Sequence, residues 1–466
     1  VSRIGLVVHG QPPELVGGTE RLVADLARSL AAAGETVEVF SGSIEWREHF
    51  EVVRDTSGPV PVVRVHRHDL FFERWDKLHD PFVERAYLEW IDDFRPDLVH
   101  IHHWARLTTT LVQAAADRGV PAVLSLHDLF ASCPRYHRVK QDMSFCTQAP
   151  SPDVCRGCAP SWSFQADAEL DGSISVFVAE LRAEVARAAA LLAPTEGHGR
   201  RVLGWLGLSR DVLALPPGGS VVPAPATRPL GDRQGQAGDP LRVGLFGHLH
   251  PLKGVGVALD ALVAAGPDAP LALEIWGAAP DAAIESELKQ RAAGLDVTWH
   301  GSYEPGDLSG ADIDAVMLPS LCSESYSFAL DEAGALGVPI VASDLGALAD
   351  RATARVKLVP RGDGGAFATA LLALADDPDE RDRMRSAPGP QRIDAAEHLA
   401  RLTAVYDEVR EAPRPKSRPV DPLQLAQREH LFALREAGLK ELLRSEGWEA
   451  ILAQRQAEID ALRSRL

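Results

Sequence analysis

The stretch V-G-L-F-G-H-L-H-P-L-K-G, residues 243–254, reads as a buried strand that opens onto a glycine turn with a lysine beyond it. Val243–Phe246 is the short apolar run expected of a strand covered on both faces. Five similar runs follow: Leu273–Trp276, Val297–His300, Ala315–Leu318, Ile340–Ala342 and Val356–Val359. Five more precede it: Ile4–Val8, Val37–Phe40, Leu98–Ile101, Ala122–Leu126 and Leu191–Ala193. Amphipathic stretches separate the runs. Glu20–Ala33, for example, ends at Gly34 as a helix should. Strand–helix alternation of this kind builds a parallel sheet covered on both faces. The alternation pauses once, at 216–240, where Pro, Gly and Ala dominate and a linker is expected. The fold class is therefore α/β, with two Rossmann-like doubly wound units, 1–215 and 241–411, in tandem. Their natural ligand site is the cleft where the carboxyl ends of both sheets meet.

Bulk properties agree with this division and narrow the function. At 466 residues the chain exceeds one hydrophobic core. No apolar run is long enough to span a bilayer, and the opening V-S-R-I-G-L-V-V-H-G reads as a strand rather than a signal peptide. A cytoplasmic setting is expected, with a peripheral position at the inner membrane face as a further option. The net charge of -18 argues against a nucleic-acid partner, which needs clustered Lys and Arg. Beyond residue 411 a Pro-rich connector leads to a helical extension, so that 412–466 stands apart. Leu452, Ile459 and Leu466 lie seven apart with Leu462 between them. Two readings stand: a short coiled-coil seam for a homo-oligomer or partner protein, and a helix that packs back on its own body.

The residues able to do chemistry sit at predicted strand ends. E-S-Y-S-F-A-L-D-E, residues 324–332, follows a strand and enters a helix. The first turn of that helix offers free N–H groups from Ser325 to Phe328, a pocket for a diphosphate. Glu332 suits two ribose hydroxyls, and Glu324 the hydroxyls of a sugar beyond the phosphates. Lys253 can neutralise phosphate, and Gly247 lets the backbone approach a ligand. In the first unit, Gly17 and Gly18 precede a helix whose N-terminus would face the cleft, with Thr19 as the alternative capping hydroxyl. The spacing is not that of a dinucleotide fingerprint.

Taken in order, several motifs make the chain resemble family 4 of the retaining glycosyltransferases, which have the GT-B fold. They are G-G-T-E at 17–20, R-P-D-L-V-H-I-H at 95–102, V-L-S-L-H-D at 123–128, L-L-A-P-T-E at 191–196, F-G-H-L-H-P-L-K-G at 246–254, the Glu pair at 324 and 332, and G-V-P-I-V-A-S-D-L-G at 337–346. The resemblance covers roughly residues 1–411 and implies transfer of a sugar from a nucleotide diphosphate donor to an acceptor. It implies that Glu332 holds the ribose and Glu324 the donor sugar. Lys253 and the backbone at Ser327 and Phe328, flanked by Ser325 and Tyr326, would bind the diphosphate. Gly17 and Gly18 would close over it, and His127 would lie beside the reacting sugar. His127, Glu324 and Lys253 are the catalytic candidates. No catalytic divalent metal is expected, because lysine, its neighbour and a helix end supply the positive field.

The sequence also departs from the family pattern. His248 stands where arginine is usual, Ser327 where glycine is common, and Ala347 and Asp350 where a second glycine and a glutamate often occur. A neutral His248 clamps the leaving group less well than a protonated one. Cys133, Cys146, Cys155 and Cys158 cluster just after His127, and Arg135–Pro160 has too few apolar residues to hold itself by burial. A structural zinc is the expectation there, a Cys155–Cys158 disulfide the alternative. Arg135, His137, Arg138 and Lys140 form a basic patch for an acidic or phosphorylated acceptor. His100 and His102 point one way along their strand and His103 the other, which suits cleft lining better than a metal site. The acceptor is open: a surface glycan, a lipid-linked sugar or a small metabolite. Two other functions compete, a nucleotide-sugar epimerase on the same fold and a non-catalytic scaffold built on the C-terminal helix.

Overall fold

The computed structural model describes residues 1–162, 165–218, 239–418 and 420–445. Two sheets organise it. The first contains β1 (Arg3–Val8), β2 (Thr36–Gly42), β3 (Glu51–Asp55), β4 (Val62–His66), β5 (Leu98–Ile101), β6 (Ala122–Ser125), β7 (Ala190–Ala193) and β8 (Leu213–Ala214), in the order β3-β4-β2-β1-β5-β6-β7-β8. Every pairing is parallel except β3 with β4. The second contains β9 (Leu241–Phe246), β10 (Leu271–Trp276), β11 (Val297–Gly301), β12 (Ala315–Leu318), β13 (Ile340–Ser343) and β14 (Val356–Val359), all parallel, in the order β11-β10-β9-β12-β13-β14. The two-unit α/β reading holds: these are doubly wound Rossmann-like halves facing each other across a cleft.

Both faces of each sheet are covered, which is why the central strands read as unbroken apolar runs. On β1, Val7 packs with Phe40, Trp90 and Ile101, while Leu6 and Val8 pack on the other face with Val23, Leu30 and Val39. On the second sheet, Leu245, Ile275 and Met317 face one layer, and Phe246, Trp276 and Leu318 the other. The edge pair β3–β4 escaped the sequence reading because β3 is largely exposed and carries charge at Glu51, Arg54 and Asp55.

The Ala395–Glu411 helix ends the stretch read from sequence as the second unit, 241–411, but it packs on the first. Leu402, Val405, Tyr406 and Val409 join the layer beneath Ile4, Leu26 and Leu98. The Tyr406 hydroxyl lies 2.7 Å from His100 Nδ1 on β5. The two halves are thus tied by a returning helix as well as by 216–240, of which 219–238 lie outside the described residues.

The C-terminal helix Pro422–Ser445 also lies against the first unit. It buries Leu425, Phe432, Glu436 and Leu443. Phe432 meets the rings of His68 and Phe82, and Arg428 and Glu429 pair with Glu84 and Arg85 of the Pro81–Phe94 helix. Over this stretch the helix packs back on its own body. The heptad positions Leu452, Ile459, Leu462 and Leu466 lie outside the described residues. Among the described residues no helix is long and apolar enough to cross a membrane.

The buried ion pair between Lys77 and Glu436 anchors this helix, and Glu436 also accepts from the Leu70 amide. Removing one partner strands a buried charge, which costs more than the pair itself contributes. Glu436→Ala is therefore expected to lower unfolding stability by about 3–5 kcal/mol. The double change Lys77→Met, Glu436→Leu should recover most of that in a denaturant titration.

Candidate functional site

Two helices aim their N-termini at one cavity of 480 Å³ between the halves. One is Gly18–Ala32, which follows β1; the other is Phe328–Leu336, which follows β12. Neither N-cap residue bonds the first turn through its side chain, although in the first helix the Glu20 carboxylate takes the amide of its own residue. The other leading N–H groups remain available to a bound anion, with the helix dipoles adding to the attraction. Thr19 is not the cap; Gly17 occupies that position, and Thr19 lines the cavity with Gly18. Gly17 lies one residue back, where a Cβ would sit 2.6 Å from a Glu20 carboxylate oxygen. The halves meet closely here, since a Cβ on Gly18 would lie 3.5 Å from the Phe328 ring.

Ser325, Tyr326, Ser327 and Phe328 form the approach to the second helix, and all line the cavity. Ser327 holds φ at 70°, a left-handed conformation that glycine adopts without cost. A glycine here would relieve that strain. The Tyr326 side chain is turned away from the cleft. It is buried under the Arg351 guanidinium, 3.8 Å from its ring centre, and Arg351 also donates to the Tyr326 and Ser327 carbonyls. What Tyr326 offers the cavity is its backbone.

Lys253 stands after β9 at the mouth of the same cavity. Its Nζ is 2.7 Å from Glu324 Oε1, which also accepts from Ser320 Oγ at 3.0 Å. Burial alone would lower the Lys253 pKa, but the Glu324 carboxylate outweighs it and leaves the ammonium secure. Gly254 fixes the turn. Its φ is +79°, and a Cβ there would fall 1.9 Å from the Pro319 carbonyl oxygen. His248 Nδ1 is 3.1 Å from the Ala278 carbonyl, so Nδ1 carries the proton and Nε2 is left for the cleft.

Glu332 lies one helical turn beyond Phe328 and is buried. Its Oε2 accepts from the Tyr303 hydroxyl at 2.8 Å. Burial pushes its pKa up to about 7, against the pull of that hydrogen bond. Tyr303 was not foreseen, because nothing in G-S-Y-E marks a tyrosine after β11 as a cavity residue. From the first half, His127 reaches the cavity behind β6, with Nε2 2.9 Å from His102 Nδ1. His103 bonds instead to Asp128 at 3.2 Å and stacks with Tyr136.

Asp350 latches the halves together. Both its oxygens accept from Arg201, at 2.8 and 2.7 Å, and it accepts from Thr195 Oγ1 at 3.0 Å. Gly197 leaves room for it, since a Cβ there would fall 2.3 Å from Asp350 Oδ1. The departure at residue 350 thus has a physical role: a shorter acid bridges the two units.

The cysteine-rich loop stands beside the cleft. Cys133, Cys146, Cys155 and Cys158 line one small cavity of 20 Å³, together with Arg135 and Arg138. All four are free thiols. Among the described residues no three His, Cys, Asp or Glu side chains are gathered closely enough to share a metal ion, and this includes the His100, His102, His103 group. Arg138 is not part of a surface patch. It is 2% exposed and donates to the carbonyls of Ser132, Cys146 and Gln148. Burial pulls His137 down to about 4, so it adds no charge at neutral pH. The loop reaches the second half through Arg361, which donates to the Met143 carbonyl.

Both halves of the chain resemble known proteins. Residues 16–218 match the family model described as Glycosyltransferase Family 4, and residues 240–377 the model described as Glycosyl transferases group 1. A D-inositol 3-phosphate glycosyltransferase of Arthrobacter sp. (strain FB24) is 29% identical over 412 residues, covering 82% of this chain and 88% of that protein. A phosphatidyl-myo-inositol mannosyltransferase of Mycobacterium leprae is 31% identical over 173 residues, 34% of this chain and 44% of that one. Among solved structures, sucrose-phosphate synthase from Thermosynechococcus elongatus superposes with a TM-score of 0.57 at 18% identity, covering 88% of this chain and 99% of that one. Anabaena HepE in complex with UDP and glucose gives 0.56 at 17% identity, over 88% and 100%.

The raised Glu332 pKa makes a prediction for the protein without ligand. The folded state keeps a proton that the unfolded state has already released, so stability declines as pH rises from about 4.5 to about 7. The Glu332 share of that decline is at most about 3 kcal/mol. Thermal midpoints measured across this window should flatten in Glu332→Gln. In Tyr303→Phe, which deletes the donor that stabilises the carboxylate, the decline should extend to higher pH.

Proposed function

Because the chain belongs to glycosyltransferase family 4 and is a nucleotide-sugar-dependent transferase of GT-B fold, we propose a division of labour in its cleft. The diphosphate lies between the Gly18–Ala32 and Phe328–Leu336 helix ends and meets Lys253 and the free nitrogen of His248. Glu332, held by Tyr303, takes the ribose. Glu324 takes hydroxyls of the transferred sugar, and His127 closes the far side. The observation that carries this reading is the convergence of two uncapped helix N-termini, one ammonium and two carboxylates on a single 480 Å³ cavity.

Transfer with retention then has a simple electrostatic course. The bond from the anomeric carbon to the diphosphate oxygen breaks, and its electron pair leaves with the diphosphate. The acceptor hydroxyl oxygen bonds to the same face of that carbon, and its proton passes to the departing phosphate oxygen. Charge grows on the diphosphate as the bond breaks, so donors aimed there stabilise the transition state more than the ground state. His127 is a poor candidate for the base, since burial pulls its pKa down to about 3. The acceptor supplies a hydroxyl, as a surface glycan, a lipid-linked sugar or a small metabolite would. An acceptor phosphate, as in the name of the inositol phosphate relative, is a narrower option that the loop cation Lys140 would serve.

We further propose zinc at the four cysteines, on a charge-balance argument. Among the described residues neither Arg138 nor Arg135 makes an ion pair with a carboxylate, although Arg138 is fully buried. A buried guanidinium calls for countercharge, and neutral thiols give none. Four thiolates on one Zn²⁺ carry two net negative charges, which match the two guanidiniums. The loop would contract to bring the thiols into ligand range. Protein purified under reducing conditions should hold about one zinc per chain by elemental analysis. A metal-free protein with titratable thiols would end this proposal, and loss of two thiols on oxidation would assign the disulfide instead.

The donor reading is tested by thermal shift with a panel of nucleoside diphosphates and their sugars. A ligand tenfold above its dissociation constant should stabilise by about 1.4 kcal/mol. Lys253→Ala should lose most of the response to nucleoside diphosphates. Glu324→Ala should keep that response but lose the increment from the sugar. A donor converted to its epimer without any acceptor would identify an epimerase instead. Variants with unchanged turnover would point to a scaffold.

A further inference from the structure

His102 is a group the donor reading leaves unused. It follows β5 directly, and its amide donates to the Val7 carbonyl at 2.8 Å. The imidazole is 2% exposed and lies nearly parallel to His127, at an interplanar angle of 12°. One nitrogen, Nδ1, is 2.9 Å from His127 Nε2. The other, Nε2, is buried and has no hydrogen-bond partner among the described residues. The neighbouring His100 is not available to it, because both His100 nitrogens are engaged, with Tyr406 and Ser125.

A neutral imidazole carries a single N–H, and burial keeps both rings neutral at ordinary pH. Two arrangements then satisfy the contact. If His127 donates, His102 must carry its own proton on Nε2, as a buried N–H without an acceptor. If His102 donates, its Nε2 is a bare lone pair. Orphaned buried N–H groups are rarer in proteins than unfilled acceptors, and the second arrangement avoids one.

We propose that His102 is a positioning residue that donates from Nδ1 to His127 Nε2 and so fixes His127 as the Nδ1–H tautomer. The cleft then receives a neutral, rigidly held donor. Its target is an oxygen of the transferred sugar, a point that rests on the donor reading above; the tautomer does not. A fixed neutral donor suits a sugar hydroxyl, and it holds the ring in place without adding a charge that would compete with Lys253 for the diphosphate.

The tautomer is read from long-range proton–nitrogen NMR correlations of histidine-labelled, ligand-free protein, with His127 assigned by loss of its signals in His127→Gln. The expected pattern is a protonated Nδ1 and a bare Nε2. A protonated Nε2 on His127 overturns the proposal, whatever the enzyme transfers. In kinetics, His102→Phe should reduce kcat/KM for the nucleotide sugar by roughly tenfold to a hundredfold, on the scale of losing a partner that orients a functional histidine. Its dissociation constant for the nucleoside diphosphate, which lacks the sugar, should stay within about twofold. His102→Asn places an amide N–H where Nδ1 was and should restore most of the rate. No rescue by asparagine contradicts a donor role for His102. Wild-type protein that transfers no sugar, yet shows the expected tautomer, would fault the donor reading alone.

Discussion

The cleft depends on backbone N–H groups left unpaired at the first turns of two helices. Such groups need an acceptor, and here no side chain of either N-cap supplies one. Because each helix follows a parallel strand, its N-terminus must lie at the carboxyl edge of its sheet. Two sheets facing edge to edge therefore direct two positive helix ends at one volume. Lys253 adds a mobile charge to this fixed field. Its present partner, Glu324, keeps the ammonium in place until a ligand competes for it.

The field is useful only while the halves stay in register. Asp350 with Arg201 and Thr195 bridges them on one side, and Arg361 with the Met143 carbonyl on another. The Ala395–Glu411 helix, which runs from the second half back under the first sheet, makes the connection structural rather than local. The cysteine-rich loop belongs to this same scheme. It extends from the strand end that carries His127 and touches the other half where Arg361 donates to the Met143 carbonyl.

Much of this was legible in the chain. Parallel strands covered on both faces must be largely apolar, so Leu98–Ile101 and Ala315–Leu318 announced themselves by composition. Helix starts at strand ends located Gly18, Phe328 and Lys253. The rest was hidden for physical reasons. The apolar stripe of Ala395–Glu411 says that it packs but not on which sheet. An arginine in a polar loop looks solvated, and Arg138 is buried only because carbonyls from three residues converge on it. Tyr303 and Asp350 act through partners 29 and 149 or more residues away, a separation that no local pattern encodes. The His102–His127 contact arises because β5 and β6 are neighbours, which the pairing of His100 with Val123 makes plain once the strand order is known.

The account rests on a diphosphate seated between the two helix ends, and a crystal structure with a bound nucleoside diphosphate tests it most directly. The predicted density places the phosphates within hydrogen-bond reach of the amides that open the Phe328–Leu336 helix. It also moves Lys253 from Glu324 to a phosphate oxygen and sets the ribose against Glu332. Density that puts the phosphates elsewhere, with Lys253 still on Glu324 and Glu332 touching only Tyr303, would contradict it.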